Sequence, residues 1–326
     1  MNKYSEKAVI TLATGKPEYI KMATNLARSF KRWHKDKSVR FVIATDQKNL
    51  IPPDLLPNIE VIEIQAGQYG QGFSPKLHLD KLAPANKTLF IDADCLCVGS
   101  LEPVFKRFSG HAVSVIGRSI SEGEWFGDIG TVCLRFGVVS LPKFNGGIYY
   151  IEKGELSDRI YATARELEPQ YDDIGLVRLR NRPNDELLMA ISMALHNQIP
   201  IPDDGSILSD PQACPGGILI DVLRGKSKLL NPLAPHPLHQ AWYPFVEVNP
   251  VLVHFLGHHT TIYPYKREEL RLYLVQTQGW PIWLADFWAT LFCSFPLLST
   301  RTLKNILRPV FHKLFGVRTV LQSNRI

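Results

Sequence analysis

The chain has 326 residues, 45% of them hydrophobic and 21% charged, which allows one large α/β domain or two smaller ones and excludes an intrinsically disordered protein. A formal net charge of +6 and a pI near 9.0 admit an anionic partner, whether nucleotide, acidic membrane surface or nucleic acid, and choose none of them. The five cysteines, Cys95, Cys97, Cys133, Cys214 and Cys293, are odd in number and lack C-x-x-C spacing, which argues against a disulfide framework or zinc site and for a reducing compartment.

Residues 1–7 lead directly into a strand and contain no apolar signal-peptide core, so no secretion signal is expected. Residues 8–14 are an apolar, β-branched run, broken by Gly15-Lys16-Pro17 and followed by a helical pattern with Ile20, Ala23, Leu26, Ala27 and Phe30 on one face. Residues 41–45, ending at Asp46, and residues 61–64 read as further strands, with Pro52, Pro53 and Pro57 in the loop between them. Alternating strands and helices predict a parallel sheet covered on both faces, with ligands gathering at the carboxyl ends of its strands. Gly15 and Lys16 lack the spaced glycines of a phosphate loop or a dinucleotide fingerprint.

Residues 67–73 read as a loop, after which Pro75 opens a short helix carrying Lys76, Leu79 and Leu82 toward the sheet tip. On spacing alone Lys76 is an ordinary solvated lysine. Residues 87–91 form a hydrophobic strand that ends in Asp92-Ala93-Asp94. Strand alternation points both carboxylates to one side, and the small Ala93 leaves room for a ligand near the backbone. Such a pair suits Mg²⁺ or Mn²⁺ bridged to a nucleoside diphosphate; the bland alternative is a turn in which Asp94 caps or solvates the loop.

Cys95 and Cys97 alternate with Leu96 and Val98 and read as buried small hydrophobes, and Ser100 is a candidate helix cap. Residues 111–117 read as a strand, and residues 119–130 as a glycine-bearing loop that brings Glu122, Glu124, Trp125 and Asp128 to a substrate pocket. Asn145-Gly146-Gly147 offers bare backbone to a ligand, or makes a hairpin turn. Residues 154–167 and 185–196 read as helices, the second capped by Asn184 or Asp185. The stretch from Val251 reads as an apolar strand with His254 inside it, and the turn at Gly257 would bring backbone amides and His258 beside a diphosphate. Imidazole is an acceptable Mn²⁺ ligand, while a histidine in an apolar strand is commonly a satisfied core residue.

From Gly279 the composition changes. Trp280, Trp283, Phe287, Trp288, Leu291, Phe292 and Phe295 lie in a stretch whose only charge is Asp286, with Pro281 and Pro296 bracketing it. The uncharged run 287–300 is too short to cross a bilayer as a helix and suits an interfacial segment. Leu303, Ile306, Leu307, Val310, Phe311, Leu314 and Phe315 then repeat at helical spacing against Arg301, Lys304, Arg308, Lys313 and Arg318, with Pro309 expected to kink the helix. The tail reads either as an attachment to an anionic membrane surface or as helices packed on the preceding domain or a second subunit.

Taken together and in order, Ala13-Thr14, Lys76, Leu89-Phe90-Ile91-Asp92-Ala93-Asp94, Phe144-Asn145-Gly146-Gly147, Asn184-Asp185-Glu186 and His254-Phe255-Leu256-Gly257 resemble glycosyltransferases of the GT-A fold, most closely the glycosyltransferase family 8-like group. The resemblance implies an α/β, Rossmann-like nucleotide-diphospho-sugar transferase domain over residues 1–265 and a helical tail over 266–326. It implies Mn²⁺ or Mg²⁺ held by Asp92, Asp94 and His254. Donor contacts would come from Ala13, Thr14, Lys76, Asp92, Ala93, Gly146, Gly147, Gly257 and His258, with Asn145 and Asp185 facing the donor sugar or acceptor. Asp185, Asp128, Glu124 or the departing phosphate oxygen would take the acceptor proton. The chain departs from the family after Gly257, where His258-His259-Thr260-Thr261 replaces its usual lysine, proline and tryptophan.

The expected activity is metal-dependent transfer of a sugar, from a UDP-sugar, to a saccharide or lipid-linked acceptor, in the cytoplasm or on the inner face of a membrane. The alternatives are a sugar-phosphate nucleotidyltransferase, of whose basic glycine-rich loop Gly15-Lys16 is a poor version, and a non-catalytic nucleotide-sugar-binding protein. A nucleic-acid binder is disfavoured because the excess positive charge sits in the hydrophobic tail rather than in an aromatic-studded groove.

Overall fold

The computed structural model describes residues 6–35 and 38–316. Four strands run parallel, β1 (Lys7–Ala13), β2 (Val39–Thr45), β3 (Glu60–Glu63) and β4 (Lys87–Ile91), in the order β3-β2-β1-β4. Strand Ile148–Glu152 adds to β4 antiparallel, and Val113–Ser114 closes that edge, giving six strands. The near-continuous apolar runs of β1, β2 and β4 follow from burial on both faces. Strand alternation sends Val9, Leu89 and Tyr150 to one core, with Ala23, Leu26 and Phe30 of helix α1 (Pro17–Trp33). Ile10, Phe90 and Tyr149 go to the other, with Ile160, Leu187, Leu188 and Ile191 from helices Glu155–Leu167 and Asp185–Leu195. Each fully buried Leu or Ile in these cores is worth about 1.5–3 kcal/mol.

A second, three-stranded sheet positions the site. Strand β5 (Cys95–Cys97) pairs antiparallel with Leu252–His254, so that Cys95 faces His254 in register, and Leu208–Ser209 runs parallel on the far side of Leu252–His254. Cys95 and Cys97 are buried free thiols, as read from the sequence, and Cys133 and Cys214 are buried and free as well.

Several local expectations need correction. The strand expected at 111–117 is two strands in different sheets, Val113–Ser114 and Ile116–Ile120, and the second runs into the stretch read as loop. It pairs with Leu141–Phe144 so closely that a Cβ on Gly117 would lie 2.1 Å from the Lys143 carbonyl oxygen. Asn145-Gly146-Gly147 is no hairpin turn, since Leu141–Phe144 and Ile148–Glu152 belong to different sheets and the tripeptide carries the chain between them. Ser100 lies one residue before the N-cap position of helix Glu102–Phe108, although its Oγ still accepts from the Glu102 N–H at 3.3 Å.

The expected boundary at 265/266 falls at the start of helix Tyr265–Gln276, whose Tyr265, Arg271, Leu272 and Leu274 are buried against the body. Arg271, with 0% side-chain exposure, donates to Glu268 at 2.7 and 2.8 Å, to Asp221 at 2.9 Å and to Asp286 at 2.7 Å. Arg224 holds the other Asp286 oxygen at 2.6 Å, so the one acid of the aromatic stretch is clamped at the base of the tail.

From Ile282 the chain is helical for 34 residues to Phe315, long and apolar enough to cross a membrane, although the uncharged run within it is by itself too short to do so. The helix does not stop at Pro296. A π turn over Thr290–Ser294 stands just before it, absorbing the register change that a proline without an N–H imposes. Beyond this turn Phe295, Leu303, Ile306, Val310 and Leu314 are all exposed, and so are Lys304, Arg308 and Lys313. Among the described residues, these side chains are therefore not packed on the α/β domain. Arg318 lies outside the described residues.

Candidate functional site

Asp92, Ala93 and Asp94 are not part of a strand. β4 ends at Ile91, and the Cys95 N–H donates to the Asp92 carbonyl at 3.0 Å, closing a tight turn before β5. Convergence of the two carboxylates comes from this turn rather than from strand alternation. The turn is pinned on both sides: Asp92 N–H donates to the Gly147 carbonyl and Phe255 N–H to the Asp94 carbonyl, each at 3.0 Å. His254 Nε2 then stands 3.0 Å from Asp94 and 3.6 Å from Asp92.

Lys76 is no solvated lysine. With only 13% of its side chain exposed, it donates to Asp92 at 2.8 Å and to the Gly146 carbonyl at 2.9 Å, and lies 3.9 Å from Asp185. Burial alone would lower its pKa, but Asp185 and Asp92 outweigh this and raise it, so Lys76 is a fixed cation. Asp185 is buried in the first turn of its helix. It accepts from the Tyr149 hydroxyl at 2.6 Å, and burial raises its pKa. Asn184, rather than Asp185, caps the helix, accepting from the Glu186 N–H at 3.0 Å. Glu186 accepts from the Gly146 N–H at 2.7 Å; desolvation and the neighbouring Asp185 push its carboxyl up to about 7.

The two glycines serve the protein's own side chains. A Cβ on Gly147 would lie 2.6 Å from His254 Nδ1, and one on Gly146 would lie 3.1 Å from Glu186 Oε1. Asn145 is likewise engaged: its Oδ1 accepts from the Gly147 N–H at 2.9 Å and lies 2.9 Å from His254 Nδ1, and its Nδ2 donates to Asp210 at 3.1 Å.

The fold thus brings together Lys76, Asp92, Asp94, Asn145, Gly146, Gly147, Asp185 and His254. Ala13 ends β1, the strand beside β4, where Ile10 pairs with Phe90; Thr14 follows it, and Gly15 N–H donates to both Asp46 oxygens at 3.1 Å. Ala93 is buried in the core beneath the turn. Gly257, at φ +58°, opens a short helical turn in which the ring of exposed His258 lies 4.0 Å from that of His259, tilted by 37°. Asp128 stands apart, since no hydrogen bond or ion pair among the described residues ties it to this group. It caps helix Ile129–Phe136, and its bond from Thr131 N–H at 2.7 Å holds its carboxyl below the usual range.

Sequence reasoning missed Asp210 and Tyr149, and gave Glu186, part of the Asn184-Asp185-Glu186 motif, no role in the site. Asp210 lies in no motif. What places it is register: Ser209 pairs with Val253, so the next residue on each strand, Asp210 and His254, end side by side.

The donor set fits a divalent cation. Five carboxylates, Asp92, Asp94, Asp185, Glu186 and Asp210, surround Lys76 and His254, and His254 Nε2 faces two of them where only a proton or a cation can sit. Burial lowers the His254 pKa, but Asp94 and Asp92 raise it further, to about 9, so that a proton holds this place when no cation does. Asp94, Cys95 and His254 also lie within 4.8 Å of one another. Burial, with Asp94 and Asp92, raises the Cys95 thiol well above its ordinary pKa, and a soft sulfur ligand suits a hard ion less well than the carboxylate oxygens beside it.

Neither a protein-family model nor a curated protein sequence matches the chain. Among solved structures, the galactosyltransferase LgtC in complex with donor and acceptor sugar analogs aligns at TM-score 0.50 and 16% identity, over 77% of this chain and 87% of that one. An LgtC active-site mutant with glutamate in place of a glutamine aligns at TM-score 0.51 and 14% identity, over 80% and 93%. The fold is GT-A. In this GT-A fold the Asp92–Asp94 turn lies at the carboxyl end of central strand β4, the end at which open α/β sheets bind their ligands.

Proposed function

We infer that the chain is a metal-dependent glycosyltransferase that moves a sugar from a nucleotide-sugar, a UDP-sugar, to a saccharide or lipid-linked acceptor. The observation that carries this reading is His254 Nε2 at 3.0 and 3.6 Å from two carboxylates of one turn, at the ligand-binding end of a GT-A sheet. Asp92, Asp94 and His254 would hold Mn²⁺ or Mg²⁺. Loss of the nucleoside diphosphate leaves negative charge on phosphate, and the chemistry a bound cation supplies there is Lewis-acid stabilisation in place of a proton donor.

The remaining roles fall to the chain itself. Lys76 holds Asp92 in place and offsets part of the negative charge of the site. The Gly146 and Gly147 backbone fixes Glu186 and Asn145. Asp185, made more basic by burial and oriented by Tyr149, would accept the proton of the acceptor hydroxyl. LgtC was solved with donor and acceptor sugar analogs, which is consistent with both partners.

The tail supports a membrane-borne acceptor. The exposed apolar face of helix Phe295–Phe315 together with Lys304, Arg308 and Lys313 suits an anionic membrane, toward which the site would present a lipid-linked glycan.

Titration calorimetry with UDP, with and without Mn²⁺, tests the central reading. Binding strengthened by Mn²⁺ and lost in Asp94→Ala is expected. Binding indifferent to metal, or undiminished in Asp94→Ala, would refute it.

A further inference from the structure

Asp210 is nine-tenths buried, belongs to no sequence motif and ends a strand that neighbours the His254 strand. Its Oδ1 accepts from the Gln212 N–H at 2.8 Å and the Ala213 N–H at 2.9 Å, two backbone donors that cannot rotate away. Its Oδ2 accepts from Asn145 Nδ2 at 3.1 Å. The other end of the Asn145 amide is fixed in the same manner, because Oδ1 accepts from the Gly147 N–H. With a backbone donor at one end and a carboxylate at the other, the amide has a single satisfying orientation. That orientation places a carbonyl oxygen 2.9 Å from His254 Nδ1, and only a ring nitrogen bearing hydrogen satisfies it there. The nitrogen left to carry a lone pair is Nε2, the one facing Asp94 and Asp92.

We propose that Asp210 is a positioning residue for metal binding, acting through Asn145 to hold the His254 ring with Nδ1 protonated and Nε2 presented to the cation. The proposal rests on the metal-dependent reading of the site and adds a residue which that reading does not need. Histidine ligands depend on a partner for the second ring nitrogen, and removing such partners lowers metal affinity about 10- to 100-fold. Here the partner is an amide, whose two ends are alike in shape, so their hydrogen-bond partners, the Asp210 carboxylate at one end and the Gly147 N–H at the other, decide which end the imidazole meets.

The chemistry specifies its own rescue. In Asp210→Asn the two backbone donors keep the side-chain oxygen on their side, so the new amide nitrogen meets Asn145 Nδ2, donor against donor. Adding Asn145→Asp restores every pairing: the amide nitrogen introduced at position 210 donates to the carboxylate introduced at position 145, which still accepts from Gly147 and His254, and the total charge is unchanged.

The test is Mn²⁺ affinity of the full chain, with UDP present, read from the free-Mn²⁺ EPR signal, with thermal melts to check folding. Asp210→Asn is expected to weaken Mn²⁺ about 10- to 100-fold, and the exchanged pair Asn145→Asp/Asp210→Asn to recover most of that loss. Wild-type affinity in folded Asp210→Asn, or no recovery in the exchanged pair, overturns the proposal. If Asp210→Asn fails to fold, the exchanged pair decides alone: affinity near wild type supports the proposal and affinity as low as His254→Ala overturns it. Wild-type protein that binds no Mn²⁺, or binds it equally well after His254→Ala, refutes the metal reading itself instead.

Discussion

Replacing Glu186 by Gln should make metal-free protein more stable at high pH and leave it unchanged at low pH. Glu186 is half-buried and accepts the Gly146 N–H; desolvation first and the adjacent Asp185 second raise its carboxyl from the ordinary 4.5 to about 7. Below about pH 4.5 it is protonated both folded and unfolded and contributes no pH dependence. Between 4.5 and 7 the unfolded chain has released the proton while the folded chain retains it, so the folded state binds more protons and stability falls as pH rises. Above 7 both are ionised and the loss is complete. At about 1.4 kcal/mol for each pH unit of separation, the total is about 3 kcal/mol as an upper value, because the half-buried group keeps some contact with water. Glutamine keeps an acceptor for the Gly146 N–H and cannot ionise. Urea unfolding in EDTA at pH 4.5, 6 and 8 should therefore show the variant's advantage growing with pH by up to about 3 kcal/mol. EDTA is needed because a bound cation would itself favour the ionised carboxylates. A stability difference that stays constant across this range would refute the argument.

Gly147→Ala should weaken Mn²⁺ binding about 10- to 100-fold, because its Cβ would stand 2.6 Å from His254 Nδ1 and displace the ring; EPR of free Mn²⁺ measures it, and unchanged affinity would mean the ring position is immaterial. Arg271→Met leaves Glu268 buried without its main partner and should cost about 3–5 kcal/mol in urea unfolding. A chain ending at Thr290 keeps Asp286 on Arg271 and Arg224, so it should fold, bind UDP and lose association with anionic liposomes. Full-length association should fall only partly at high salt, since screening weakens the lysines and arginines but not the apolar insertion; liposome binding that survives truncation would place the contact elsewhere.

The amino-acid sequence by itself determined the parallel sheet, because β1, β2 and β4 are buried on both faces and their apolar runs are continuous. It also singled out the carboxylates of Asp92-Ala93-Asp94, the imidazole of His254 and the glycines of Gly146-Gly147, because each stands within or at an end of an apolar run where a purely structural strand would not need it. What it did not contain was how they meet. Asp92 and Asp94 converge through a turn whose backbone bonds come from residues 147 and 255, not through local strand alternation. Lys76 became a buried cation because Gly146 and Asp185 arrive from far along the chain, and no local pattern distinguishes such a lysine from a solvated one. The glycines were legible as a need for space, but only the packed structure decided that His254 and Glu186 fill it. Asp210 is the extreme case: its place beside His254 follows from the register of two short parallel strands, set by long-range pairing that no single stretch of sequence encodes.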